Sequence, residues 1–214
     1  MHTTLLSDRY HWIKQLINNA KAEIKGKWEE IEERKLANQS RMLTAFRQHQ
    51  VSEYHFAGST GYGYNDSGRE VIESLYAQVF GAEDALVRPQ LVSGTHAIAT
   101  CLAALLRPGD ELVSLTGAPY DTLQQVIGTK GDLRNSLLRD GIRYKEVPLN
   151  KEGNWDKDGI LANVSSTTKM VMIQRSRGYS WRPAITIDDI QNMISIIRTI
   201  SKDIIIFVDN CYGE

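Results

Sequence analysis

Apolar positions change their rhythm along the chain. In the N-terminal stretch Trp12, Ile13, Leu16, Ile17, Ala20, Ile24, Trp28 and Ile31 recur at helical spacing, with lysine, glutamate and asparagine between them. Apolar residues three and four apart share one helix face, so the pattern predicts an amphipathic helical arm. Gly26 interrupts it at a cost of about 1 kcal/mol against alanine, which predicts a bend or break near there. A second helix is expected over residues 32–49. Arms of this kind serve packing or subunit contact more readily than chemistry. A glycine-rich loop follows, FAGSTGYGYNDSGRE over residues 56–70, closing with Ser67 and Glu70 at capping-box spacing. Val71, Ile72, Leu75, Tyr76, Val79 and Phe80 then mark one face of a helix that Gly81 is placed to end.

From residue 85 the pattern becomes one of short apolar runs alternating with helical stretches. Strands are expected just before Ser93 and over residues 111–115, 142–147, 169–173 and 204–208; helices are expected after Ser93 and over 121–127, 156–164 and 188–200. Runs such as IIIFV suit strands buried on both faces, and helical crossovers make neighbouring strands parallel. The fold class expected is therefore α/β, a largely parallel sheet with flanking helices, preceded by a helical arm. The arm is assigned to residues 1–55 and the sheet-bearing part to 56–214.

Residues 91–106, LVSGTHAIATCLAALL, pass from an apolar stretch through Ser-Gly-Thr into an alanine-rich helix. Ser93 suits an N-cap, Gly94 lets another group approach the backbone, and first-turn amides face outward at the positive end of the helix dipole. Two readings stand: an ordinary cap, or a cradle for a phosphate. In an open parallel sheet ligands bind outside the carboxyl ends of the strands, so the residues following each strand are the informative ones. They are polar here: Ser93, Gly94, Thr95 and His96; Thr116, Gly117 and Tyr120; Gln174, Arg175 and Ser176; Asp209, Asn210 and Cys211. Together they describe a ligand with a phosphate, a flat ring and a basic ring nitrogen or other cation, and pyridoxal phosphate fits that description. Each has a plainer alternative: Tyr120 as a core tyrosine, Asp209 as a cap, His96 as a capped first-turn residue. Tyr62 and Tyr64 are either surface aromatics of a turn or phenols lent to a ligand. Gly61 and Gly63 lack the third glycine and the preceding strand of a dinucleotide fingerprint.

Composition narrows the partners. With 42% hydrophobic and 24% charged residues the chain is an ordinary globular mixture, and a net charge of -1 gives no electrostatic ground for nucleic acid or an anionic membrane. Asp8, Arg9, His11 and Lys14 deny residues 1–20 the apolar core of a signal peptide, and no later stretch is long enough to span a bilayer. Cys101 and Cys211 show no metal-ligand spacing and suit a reducing cytoplasm. A small-molecule partner and a cytoplasmic location are expected, with no metal.

The blocks GSTGYGYNDSGRE, VRPQLVSGTHA, LRPGDELVSLTGAPYDTLQQVIG, IQRSRGYSWRP and FVDNCYGE resemble the family named for aluminium resistance. That family is similar to methionine gamma-lyase and to the fold-type-I enzymes of cysteine and methionine metabolism, and the resemblance runs from about Phe46 to Glu214. It implies that residues 56–214 are the N-terminal portion of a pyridoxal-phosphate-binding large domain. By the same resemblance Ser93, Gly94 and Thr95 hold the cofactor phosphate, Tyr120 stacks on the ring and Asp209 pairs with the ring nitrogen. Gln174 and Arg175 approach the phenolic oxygen, and Tyr62 and Tyr64 lie in the loop that reaches a neighbouring subunit's phosphate. The usual Tyr-x-Arg spacing is missing, because Asn65 and Asp66 follow Tyr64.

The implied activity is beta or gamma elimination on a sulfur-containing amino acid by a homodimer or homotetramer. The resemblance places the Schiff-base lysine on a segment after the aspartate, and none of Lys130, Lys169 or Lys202 occupies a corresponding position. No residue of the chain is therefore expected to be that lysine, and the chain reads as the cofactor half of an enzyme, inactive by itself. Another fold-type-I reaction, such as that of an aldolase or transaminase, would need the same pocket. A noncatalytic binding or assembly domain is the alternative from outside the enzymes.

Overall fold

The computed structural model describes residues 2–59, 62 and 66–211, with side chains from residue 9 onward. Its contacts divide into two compact units, Met1–Pro89 and Gln90–Glu214.

The first unit opens with two helices, α1 (His2–Glu23) and α2 (Lys25–Gln48). They meet at Ile24, whose φ of -95° and ψ of 3° leave the helical region. The ladder continues across the step, since Ile24 N–H bonds Ala20 O and Trp28 N–H bonds Ile24 O, each at 3.1 Å. The break expected near Gly26 falls at Ile24, and α2 starts at Lys25 rather than near residue 32. Gly26 has open space around it and stays helical between good helix formers. Ion pairs such as Lys27–Glu30 at 2.8 Å add a few tenths of a kcal/mol.

Helix α3 (Ser67–Phe80) corrects a second expectation: its N-cap is Asp66, whose Oδ1 accepts the Arg69 N–H at 3.1 Å, and Ser67 lies one place inside. Both residue types can cap, and Asp66 is the one whose carboxylate reaches the third amide. Gly81 ends α3 as expected, in the left-handed region at φ 64°.

The second unit is a four-stranded parallel sheet in the order β2-β1-β3-β4, built from β1 (Glu111–Ser114), β2 (Arg143–Glu146), β3 (Met170–Gln174) and β4 (Ile205–Asp209). Helices α4 (Gly94–Leu105), α5 (Asp121–Ile127), α6 (Lys157–Asn163) and α7 (Ile187–Ile200) accompany it. Val113, Val171 and Ile173 pack with Ile160, Met193 and Ile197 in one cluster. Leu112, Met170 and Met172, the alternate positions, pack with Leu102, Leu123 and Ile127 in the other. Both faces of β1 and β3 are thus covered, which is why these strands read as continuous apolar runs.

One expected strand is absent. Residues 91–92, before Ser93, join no ladder, and Val92 is 80% exposed. Leu91 and Val92 have no sheet neighbour, and the Val92 N–H turns to His96 Nδ1 at 3.4 Å instead of to a strand, so the segment enters α4 as a loop. Among the described residues no helix is long and apolar enough to cross a membrane.

Candidate functional site

The parallel topology puts the ends of β3 and β4 beside the start of α4 and the loop after β1. There a cavity of about 560 Å³ is lined by Ser93, Gly94, Thr95, Tyr120, Thr122, Tyr179 and Asp209, among others. Its size lies within the range of about 300–1,000 Å³ common for small-molecule sites.

At its α4 end the cavity meets the N-terminus of that helix, a place whose first-turn amides and dipole suit an anion. Ser93 Oγ accepts the His96 N–H at 3.1 Å, which keeps the hydroxyl proton available to donate. Among the described residues nothing accepts from the amides of Gly94 and Thr95. Gly94 is also conspicuous for what the fold does not ask of it: its φ is not left-handed, and an added Cβ would meet no atom within 4 Å. Thr95 Oγ1 and Thr122 Oγ1 lie 2.7 Å apart and tie α4 to α5. His96 Nδ1 takes the Val92 N–H at 3.4 Å, placing this side chain at the helix entrance as a first-turn residue.

Tyr120 forms a wall of the cavity and is held from behind. Its N–H donates to Gln174 Oε1 at 2.7 Å, while Gln174 Nε2 donates to Ser176 O at 3.1 Å and the Gln174 N–H donates to Thr116 Oγ1 at 3.0 Å. Gln174 is 6% exposed and lines a neighbouring cavity, so it acts here on the backbone of Tyr120. The loop after β3 turns back over the same ring: the Tyr120 and Tyr179 centroids are 5.9 Å apart at 33°. Gly178, at φ 57°, permits that return, with its Cβ position 3.5 Å from Tyr120 Cδ2.

Asp209 closes β4 on the opposite side. Its main-chain carbonyl accepts the Arg175 N–H at 3.0 Å and its Oδ1 accepts the Cys211 N–H at 3.2 Å, leaving carboxylate lone pairs toward the cavity it lines. Arg175 donates to Ile185 O at 3.2 Å and to Asn210 Oδ1 at 2.8 Å and does not line this cavity. No lysine lines it among the described residues.

Five of the expected residues, Ser93, Gly94, Thr95, Tyr120 and Asp209, thus share one cavity, and Gln174 supports it from outside. Tyr62 belongs to the other unit and is 83% exposed; Tyr64 lies outside the described residues. Gly178, Tyr179 and the buried Arg182 were not singled out from the sequence. The pattern that marks them is RGYSWR, aromatics set between arginines directly after a buried strand. Arg182 is 8% exposed and donates to the carbonyls of Gln174 at 3.1 Å, Pro183 at 3.0 Å and Ser176. Burial holds its pKa below the ordinary arginine value.

The profile of the family described as methionine gamma-lyase matches residues 13–214. An uncharacterised Bacillus subtilis protein, YnbB, is 47% identical over 203 residues, covering 94% of this chain and 48% of that protein. A Listeria innocua structure, provisionally named a cystathionine beta-lyase involved in aluminium resistance, is 46% identical and superposes with a TM-score of 0.91, over 94% of this chain and 50% of that one. A Clostridium novyi structure named as a carbon-sulfur lyase involved in aluminium resistance is 42% identical with a TM-score of 0.86, over 92% and 47%. The chain spans about half the length of the relatives it matches.

Proposed function

The chain belongs to the methionine gamma-lyase family, and on that premise we propose that it carries the cofactor-holding part of a pyridoxal-phosphate-dependent carbon-sulfur lyase acting on a sulfur-containing amino acid by beta or gamma elimination. The observation supporting this most strongly is the shared cavity, where an anion cradle, an aromatic wall and a carboxylate occur together at Ser93–Thr95, Tyr120 and Asp209. The names of the Listeria and Clostridium relatives support the lyase class.

Each residue has a task that its placement suits. Ser93 donates its hydroxyl proton, and Gly94 and Thr95 their amides, to the cofactor phosphate, with the α4 dipole adding to the attraction. Tyr120 lies along the ring and excludes water from that face, kept in position by Gln174 through its backbone N–H. Asp209 holds a proton on the ring nitrogen by charge-assisted hydrogen bonding. When bound, the protonated pyridine ring supplies an electron sink for negative charge developing at the substrate α-carbon. Movement of the α-proton is assigned to no residue of this chain.

The reading includes self-association, supported by exposed apolar side chains such as Trp12, Leu16, Trp28 and Ile31 along α1 and α2, and a cytoplasmic location, supported by two exposed free thiols, Cys101 and Cys211. Sedimentation of the purified protein tests the first. The direct test of the cofactor is retention of pyridoxal phosphate by the chain after free cofactor is dialysed away, because no lysine lines the cavity among the described residues. A protein that retains none overturns the proposal.

A further inference from the structure

In the helical arm every residue from 9 to 44 is exposed. One face of the arm is nonetheless apolar. Ile17, Ala20, Ile24, Trp28 and Ile31 follow one another at steps of three and four, and the hydrogen-bond ladder carries that face across Ile24 from α1 into α2. Trp28 is 47% exposed and Ile31 50%. Helices draw most of their stability from burying such a face, and an apolar stripe of this length in water marks a contact surface. The flanks of the stripe indicate what covers it. At 3.6 residues per turn Lys25 and Glu32 border it on one side, and Glu23, Lys27, Glu30 and Arg34 on the other. Glu23 with Arg34, Lys25 with Glu32, and Lys27 with Glu30 are each opposite in sign and on a common flank, and all three pairs share one midpoint, between Trp28 and Glu29.

We propose that the stripe is covered by a second copy of this chain, whose arm lies antiparallel across this one with the two-fold axis passing beside Trp28. In an antiparallel pair like flank meets like flank, so a sequence whose charges invert about one point is complementary to its own reverse. Glu23 of one copy then meets Arg34 of the other, Lys25 meets Glu32 and Lys27 meets Glu30, each twice, while Ile24 packs beside Ile31 on either side of the two tryptophans. A parallel pair loses this match, because Glu23 and Arg34 stand about 16 Å apart along the axis. The pairs made within the helix, Lys27–Glu30 at 2.8 Å and Lys25–Glu29 at 3.6 Å, are exposed and weak enough to be exchanged for partners across the axis. The inference rests on the self-association proposed above, to which it gives an orientation and a register, and it does not depend on the cofactor.

The test sediments the whole 214-residue chain over a dilution series at low salt, with charge reversals at two positions too far apart to touch within one helix. Glu23→Arg alone and Arg34→Glu alone each set like charges across the axis twice, and each is expected to weaken the dimer about tenfold. The two reversals together restore the match and are expected to return the dissociation constant to within about twofold of the wild type. Glutamate and arginine are both good helix formers, so the arm persists in all three variants, which circular dichroism checks. Trp28→Gln, which removes the central contact, is expected to weaken association by at least as much as either single reversal. Single reversals without effect, a double variant no tighter than the single ones, or undiminished association of Trp28→Gln overturns the antiparallel arm pair and leaves self-association through another surface. A wild-type chain that stays monomeric at every concentration removes the self-association itself.

Discussion

Two buried charges sit at opposite ends of one sheet, and they are treated differently. Glu111 opens β1 at 3% exposure, with its carboxylate 2.9 Å from Lys145 Nζ and 2.8 Å from Thr168 Oγ1. Burial alone would raise its carboxyl pKa, but the bonds from Lys145 and Thr168 outweigh that and hold it below the ordinary range. Arg182, near the strand ends, is almost as buried and is given only neutral acceptors. The start of the sheet completes its own electrostatics, whereas the end leaves amides, a carboxylate and guanidiniums with capacity to spare. In a parallel sheet the second edge is where ligands bind, and unmet polar demand distinguishes it from the first.

The contrast breaks most visibly at Asp209. Replacing it with alanine in the full-length parent is expected to lower turnover by about 100-fold or more, the scale of losing one preorganised electrostatic partner. The fold should persist, because Asp209 is half-buried at the end of the last strand and its side chain accepts only the Cys211 N–H among the described bonds. Turnover and a urea midpoint taken together check this. Near-normal turnover would show the open edge to be as structural as the other.

At the closed edge the ranking of effects reverses. Glu111→Ala should leave cofactor uptake unchanged and cost about 2 kcal/mol of stability, less than a fully buried pair because Lys145 is half exposed. The acid limb carries the same information. With the folded-state pKa of Glu111 depressed below 4.5, its stabilisation is present above that value and is lost as pH falls through the folded pKa. Urea titrations between neutral pH and the acid range should show the variant losing less stability with acid than the wild type. Parallel acid limbs would remove Glu111 from the account.

Gln174 joins the two kinds of chemistry, being a buried residue that serves the site. Gln174→Ala removes the acceptor of the Tyr120 N–H and is expected to weaken cofactor affinity about fivefold, the worth of roughly 1 kcal/mol of hydrogen bonding. A visible-band titration reads it. An unchanged affinity would mean that Tyr120 keeps its place without this bond.

What the sequence disclosed follows the same division. Ser93, Tyr120 and Asp209 were readable because each follows or opens a periodic element, and parallel topology brings such positions to one edge without knowledge of side-chain detail. The 54-residue separation of Tyr120 and Gln174 was not readable, since their bond depends on the register of β3 against the loop after β1. Nor was the unpaired state of Arg182, which depends on three carbonyls converging in a loop. Locally the reading failed where two residues could do one job: Asp66 and Ser67 can both cap, and Leu91-Val92 has strand-like composition but no neighbour in the sheet.

The smallest expected effect is the sharpest on purpose, because it has opposite signs in two measurements. Gly94 holds the first position of α4 in a conformation open to any residue, with no atom within 4 Å of where a Cβ would sit. Gly94→Ala should therefore raise stability by about 0.5 kcal/mol through lower unfolded-state entropy and better helix propensity. The same methyl group would stand over the amides that the proposal gives to a phosphate, so cofactor affinity should fall while the urea midpoint rises. A glycine kept for the fold would give a loss in both. A rise in both would mean that nothing approaches those amides closely, and the cradle at the start of α4 would be an ordinary helix cap.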